Sequence, residues 1–297
     1  MVEMSIIIND LEVILMYIVS VLCSACLMGV FEIVKKLSLK KSNIYEMLCL
    51  YCLSAFALSL IFIKYAVWMS GMDVVFVFAK SLIIVVNWLL VTKAVEKLDV
   101  SIVAPFGLFT SVVVVVLSTF VFKEKITLAH VLSMLFIGGG ILLLARLEKQ
   151  EKKRVELRYI VYLLIGTTMG ALSSLMDKAF ISERGMDFRG IMVWLFLFLT
   201  IFYSIICLIK NKKIEFRKLK SNYWIFLTAL MLFLSDIAYY TSIGMTGSKI
   251  SIIAILKKFS VVIATILASV FLHEKHLVKK LFILALMLIG VAMPVLL

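Results

Sequence analysis

The feature that most constrains this chain is a succession of ten apolar runs, each 19 to 25 residues long and parted by short polar stretches. They fall at 11–34, 44–68, 74–95, 100–122, 127–145, 159–181, 191–209, 223–245, 250–272 and 277–296. A bilayer core is crossed by roughly 20 apolar residues in a helix. Lipid offers no partner to a backbone amide, so an uninterrupted apolar run must satisfy its own hydrogen bonds as an α-helix. The short alternating segments of a membrane β-barrel are absent. Only two prolines occur, Pro105 and Pro294. With 64% apolar residues, 16% charged residues and a mean hydropathy of +1.14, a water-soluble fold would leave too much apolar surface wet. The expected fold class is an all-α polytopic membrane protein.

The net charge of +13 does not point to nucleic acid, because the basic residues stand in short blocks between the apolar runs. Such blocks follow the positive-inside rule. The first, third, fifth, seventh and ninth connections carry 21 of the 31 lysines and arginines. The even connections and both termini carry 6, and Lys80, Lys178, Lys257 and Lys258 lie inside the runs. The rule therefore places both termini outside the cytoplasm. Glu3, Asp10 and Glu12 occupy the place where a cleavable signal peptide would be basic.

The chain repeats itself. Shifting residues 84–147 by 150 positions lays Ser101 on Ser251, Ala104 on Ala254, Phe109 on Phe259, Glu124 on Glu274 and Gly140 on Gly290, without a gap. Lys36 meets Lys178 at an offset of 142, and the difference of 8 fits a longer seventh connection at 210–220. The expected division is 1–147 and 148–297, one five-helix repeat each within a single membrane domain. Five spans per half force the second half to insert upside down, so the expected architecture is ten transmembrane helices as two inverted five-helix repeats.

Charge within a membrane helix is costly, roughly 2.5–3.5 kcal/mol on insertion scales, and usually faces a bundle interior. Asp236 lies mid-run in the eighth segment, and Lys257 and Lys258 lie about two turns into the ninth. Neighbouring helix residues point about 100° apart, so one lysine is expected to meet Asp236 while the other faces a cavity. The pattern fits either a buried pair that fixes helix packing or an anion site in which a free ammonium binds carboxylate or phosphate. Asn87, Trp88, Tyr239 and Tyr240 lie at related depths and suit hydrogen bonding or stacking on a polar solute. Lys80 is expected to snorkel toward the interface. Glu32 and Asp177 are expected to pair with lysines nearby in sequence.

Other constellations read as structural. Cys23–Cys26 and Cys49–Cys52 have zinc-like spacing but sit in apolar helices, where small packing residues are expected and no metal or cofactor is. Gly138, Gly139 and Gly140 let a neighbouring helix approach. His130, His273 and His276 form no HExxH motif or triad, so no enzyme activity is expected.

The duplicated features resemble the drug/metabolite transporter superfamily, EamA type. Each half of that family tends to carry a lysine at the end of its first helix, matched by Lys36 and Lys178. Each half also closes with an acidic residue in a tight turn before a glycine-bearing last helix, matched by Glu124 and Glu274 with Gly138–Gly140 and Gly290. In the same superfamily, triose-phosphate translocators carry a basic pair in the ninth helix that binds substrate phosphate, and Lys257-Lys258 is similar. Here position 258 is lysine, without the bidentate fork of arginine, and Gly107 and Leu108 occupy the equivalent places in the fourth run.

The resemblance implies a multi-pass plasma-membrane protein, a secondary transporter of a small polar metabolite, anionic or zwitterionic, working by alternating access as a monomer or homodimer. The residues themselves give the expected site in a cavity between the halves: Asp236, Lys257 and Lys258 setting its charge, with Asn87, Trp88, Tyr239 and Tyr240 lining it. The other class open to such a chain is a lipid-linked sugar flippase or an accessory subunit of a membrane complex. The family's usual topology has cytoplasmic termini, opposite to the count above. By the count, a cysteine placed within 146–158 should resist a membrane-impermeant maleimide added to intact cells; prompt labelling would reverse the orientation.

Overall fold

The computed structural model describes residues 2–121, 127–150, 157–244 and 250–296. The described residues form helices and their connections: α1 (Val2–Leu39), α2 (Ile44–Ser59), α3 (Ile63–Val67), α4 (Gly71–Lys97), α5 (Val100–Val121), α6 (Leu128–Gln150), α7 (Leu157–Lys178), α8 (Phe188–Asn211), α9 (Arg217–Ser221), α10 (Trp224–Gly244), α11 (Ile250–Lys257), α12 (Phe259–Leu272) and α13 (Leu277–Leu296). Seven helical stretches among them are long and apolar enough to cross a bilayer: Met16–Leu39, Ile44–Val67, Gly71–Lys97, Leu157–Ile181, Phe188–Asn211, Trp224–Ile243 and Ile255–Leu272. Shorter apolar stretches, Val100–Val113 and Leu128–Leu144, mark the fourth and fifth runs.

Side chains in the connections set where helices begin. The side chains of Asn43, Ser70 and Asp187 each accept a backbone N–H of the first turn of the helix they precede. Arg189 grips Asp187 at 2.6 Å and holds its carboxyl below the usual carboxylate range. Lys212 and His273, in left-handed conformation, end α8 and α12. The ninth run departs from the single helix expected. Its regular pattern is interrupted at Lys258, whose N–H reaches Ile255 O at 3.0 Å, three residues back instead of four.

The helices pair in repeat-related couples. α1 lies on α10 and α7 lies on α4; α1 also packs on α12, and α7 on α5. Three further pairs match an element with its own counterpart, α2 with α8, α5 with α12, and α6 with α13. The last pair shows why glycine recurs at offset 150. A Cβ at Gly140 would strike Met287, and one at Gly290 would come within 2.7 Å of Phe136 Cβ, so both helices need the missing side chain to meet. Gly138 and Gly139 meet nothing within 4 Å, so only the third member of that triplet has the expected packing role. Between α1 and α10 the close approach is held by hydroxyls: Ser24 Oγ donates to Ser235 O at 2.8 Å, Ser235 Oγ to Ser24 O at 3.0 Å, and Ser20 Oγ to Ala238 O at 2.8 Å.

Two faces follow from the connections. On one, Asn222 donates to Ser38 O at 2.9 Å and to Ser42 Oγ at 2.8 Å, while Lys218 of α9 pairs with Glu46 at 2.5 Å, which holds the lysine above its ordinary range. On the same face, Lys36 donates to Val95 O, to Glu96 O at 3.0 Å and to Leu98 O at 2.8 Å, an ammonium on the carbonyl end of α4. Two residues later Glu274 accepts the N–H groups of Val100 at 2.8 Å and Ser101 at 3.1 Å, plus the Ser101 hydroxyl, and so caps α5. Lys280 completes this cluster, 2.6 Å from Ser101 Oγ and 3.6 Å from Glu274. The first, third, seventh and ninth connections thus gather at a lysine-rich face. At the opposite face Arg184 pairs with Asp73 at 3.2 Å, and the Arg189 guanidinium lies 3.5 Å from the centre of the Tyr65 ring.

Lys36 and Glu274, the residues that carried the family resemblance, therefore clamp the turn between α4 and α5. The turn bearing Glu124 and the Lys178 side chain lie outside the described residues. Glu274→Ala strips three donors of their acceptor and should cost about 1–3 kcal/mol, read as a lower melting temperature of the purified protein. Glu274→Gln, which keeps an acceptor oxygen, should lose less; no shift in the alanine variant would remove the capping role.

Candidate functional site

A cavity of about 210 Å³ lies among α1, α2, α4, α5, α7 and α10. Its lining follows helical spacing on each wall. α1 contributes Met28, Phe31, Glu32 and Lys35, and α4 contributes Asn87, Trp88, Val91 and Thr92. α5 contributes Val103, Ala104, Gly107 and Thr110, and α7 contributes Leu163, Thr167 and Gly170. Met47, Leu48 and Tyr51 come from α2, and Leu232 from α10. On α1, α2, α4, α5 and α7 each set lies on one face of its helix. The lining of α1 ends one turn before Leu39 and that of α5 starts three residues after Val100, so the cavity occupies the half nearer the lysine-rich face.

The polar groups here are unusual for what they lack. Among the described residues four buried side-chain atoms have no hydrogen-bond partner, and three of them, Glu32 Oε2, Tyr51 OH and Thr92 Oγ1, belong to this lining. A buried polar atom left unpaired costs about 1–3 kcal/mol. The three residues border one space, which makes it the candidate site for a polar occupant. Glu32 and Lys35 stand one turn apart on α1, and neither joins an ion pair among the described residues. The Lys35 ammonium lies 5.3 Å from the centre of the Phe31 ring, and Tyr51 leans on Trp88 with centroids 5.3 Å apart. The site therefore offers one acidic group, one basic group, neutral hydroxyls and an amide, and an aromatic wall.

Of the residues singled out from the sequence, Asn87 and Trp88 line this cavity. Gly170 opposite leaves room for Asn87, since a Cβ there would come within 3.1 Å of its Nδ2. The other five are not among its lining residues, and Asp236, Tyr239, Tyr240 and Lys257 stand toward the opposite face. Asp236 follows Leu232 by one turn of α10. It forms no ion pair within 4.0 Å among the described residues, contrary to the expected pairing with a lysine. Lys257 instead places its ammonium 3.3 Å from the centre of the Tyr239 ring. Lys258 turns the other way and donates to Gly107 O at 2.8 Å, reaching the cavity wall from the interruption between α11 and α12.

Two further expectations are corrected. Lys80 does not snorkel: it is 1% exposed and pairs with Asp177 of α7, whose carboxylate also receives the Tyr240 hydroxyl at 3.5 Å. Asp177 so takes a partner from another helix, and Glu32 takes none among the described residues. The cysteines divide, with Cys23 and Cys26 exposed and Cys49 and Cys52 buried, all free. No group of three metal-ligating side chains forms among the described residues. The residues missed from the sequence are Glu32, Lys35, Tyr51 and Thr92. For the first two the signal was available: an acid and a base at i and i+3 on the stripe that also carries Met28 and Phe31.

The model of the EamA-like transporter family matches this chain twice, over residues 15–146 and 157–296. The chain belongs to the EamA-like transporter family. It is a multi-pass membrane protein, and its family is one of transporters of small molecules. No curated protein matches it. Among solved structures 22 chains match. One, titled only "Crystal structure of protein", is 16% identical, covers 94% of this chain and 96% of its own, and has a TM-score of 0.65, a likeness of fold alone. The two family matches part at 147–156, within the polar stretch that divides the repeats.

Proposed function

We propose that this EamA-like protein is a secondary transporter of the cell membrane that moves a small zwitterionic metabolite by alternating access. In this reading ten spans form two inverted five-helix repeats, with repeat boundaries near 1–147 and 148–297. The pairing of helices with their repeat counterparts supports that arrangement. The observation that carries the substrate class is the cavity with its unpaired Glu32, Tyr51 and Thr92 atoms and a lysine one turn away. An ammonium on the solute satisfies Glu32 and the hydroxyls, and a carboxylate satisfies Lys35 and the Asn87 amide. Apolar substance lies against Trp88 and Phe31. A volume of about 210 Å³ is below the roughly 300–1,000 Å³ of drug-sized pockets, which suits a small metabolite.

Asp236, Tyr239, Tyr240, Lys257 and Lys258 form the onward path that the solute meets when the opposite face opens. Lys258 already touches the cavity wall through Gly107, and its interrupted helix suits a segment that rearranges during transport. By the lysine and arginine count, the cavity half faces the cytoplasm. The chain works as a monomer or homodimer in the bilayer, with a small molecule as its partner.

Uptake into proteoliposomes loaded on one side tests the site. Glu32→Gln and Lys35→Met each keep side-chain length and each remove a charge-assisted contact of ~1.5–3 kcal/mol. Each should lower uptake of a small zwitterion about tenfold or more while the melting temperature holds. Wild-type rates in both variants would remove this cavity as the solute site.

A further inference from the structure

We propose that Gly107 sets the upper size of solute that the cavity admits, an inference that rests on reading this cavity as the solute site. Two glycines line the cavity, and they differ in what surrounds them. At Gly170 an added Cβ meets Asn87 Nδ2 at 3.1 Å, so that glycine is explained by packing between α7 and α4. At Gly107 an added Cβ meets nothing within 4 Å. Gly107 also sits inside α5, where glycine is a poorer helix former than alanine. No neighbouring helix requires it among the described residues. What the missing side chain leaves is space, in the wall shared with Ala104 and Thr110.

The main chain at this point has its own duty. Gly107 O accepts from Lys258 Nζ at 2.8 Å, a bond that any residue at 107 keeps. A side chain added there therefore narrows the cavity without unfastening the second half from the wall. Gly107 is a specificity position in this sense: its side-chain volume is subtracted from the room available to the part of the solute that carries no charge. A hinge role beside Pro105 makes a different forecast, because stiffening a hinge slows every solute alike.

Thiol labelling in purified protein reads the space directly, with the five native cysteines left in place and modification scored at position 107 by peptide mass spectrometry. Gly107→Cys should react with 2-aminoethyl methanethiosulfonate and resist a biotinylated maleimide. Leu108→Cys, whose position is fully buried in the core, should resist both. A Gly107→Cys that resists the small reagent, accepts the bulky one as fast, or reacts no faster than Leu108→Cys overturns the proposal. In transport, Gly107→Ala and Gly107→Leu should melt like wild type and lose solutes in order of size, the largest first. Equal loss of all sizes overturns size selection in favour of a hinge. Wild-type protein that moves no zwitterion at all refutes the transporter reading, while the labelling result still decides whether position 107 faces confined space.

Discussion

Within a bilayer a polar group that lacks a partner has no water to turn to, and this constraint organises the whole molecule. The structure meets it almost everywhere by lending side chains to helix ends and to neighbouring helices. Lys36 covers the carbonyl end of α4, Glu274 covers the amide end of α5, and serines of α1 and α10 hydrogen-bond across their interface. Even the buried Lys80 has its carboxylate. Against that background the unpaired atoms of Glu32, Tyr51 and Thr92 stand out, because they share one cavity.

The same constraint separates the family's signature from its site. The lysine and the acidic turn residue that identify the family serve the turn between α4 and α5, far along the chain from either. Lys36 acts within the first repeat, whereas Glu274 reaches from the second into the first. In the proposed reading, selectivity comes from the cavity walls, where Glu32, Lys35 and Gly107 lie.

Much of the architecture was legible in the sequence. Apolar run length gave the helices, and the offset of 150 gave the symmetry that brings Gly140 and Gly290 to one interface. The site was legible only in part. Asn87 and Trp88 were visible as polar and aromatic interruptions of an apolar run. Asp236, Lys257 and Lys258 drew attention because their charges lie deepest, yet none is among the lining residues, and Lys258 reaches the wall only through Gly107 O. Depth along a run is readable from spacing, whereas the direction a side chain faces depends on which helices pack together. Glu32 lies near enough to lysines in sequence to look locally neutralised, and Lys80 looked able to reach the interface. The pairing of α4 with α7 gives Lys80 to Asp177, and Glu32 has no ion-pair partner among the described residues. The interruption at Lys258 also left no mark, since neither proline nor glycine stands there.

The central claim is that the unpaired acid and the nearby base of α1 recognise the two charges of one small solute. Thermal stabilisation of the purified protein tests it most directly, because a ligand at 100 times its Kd adds about 2.7 kcal/mol. A small zwitterion should raise the melting temperature, and its N-acylated and carboxyl-esterified derivatives should each raise it far less. Derivatives that stabilise as well as the zwitterion, or stabilisation that persists when Glu32 is replaced by glutamine, would contradict the claim.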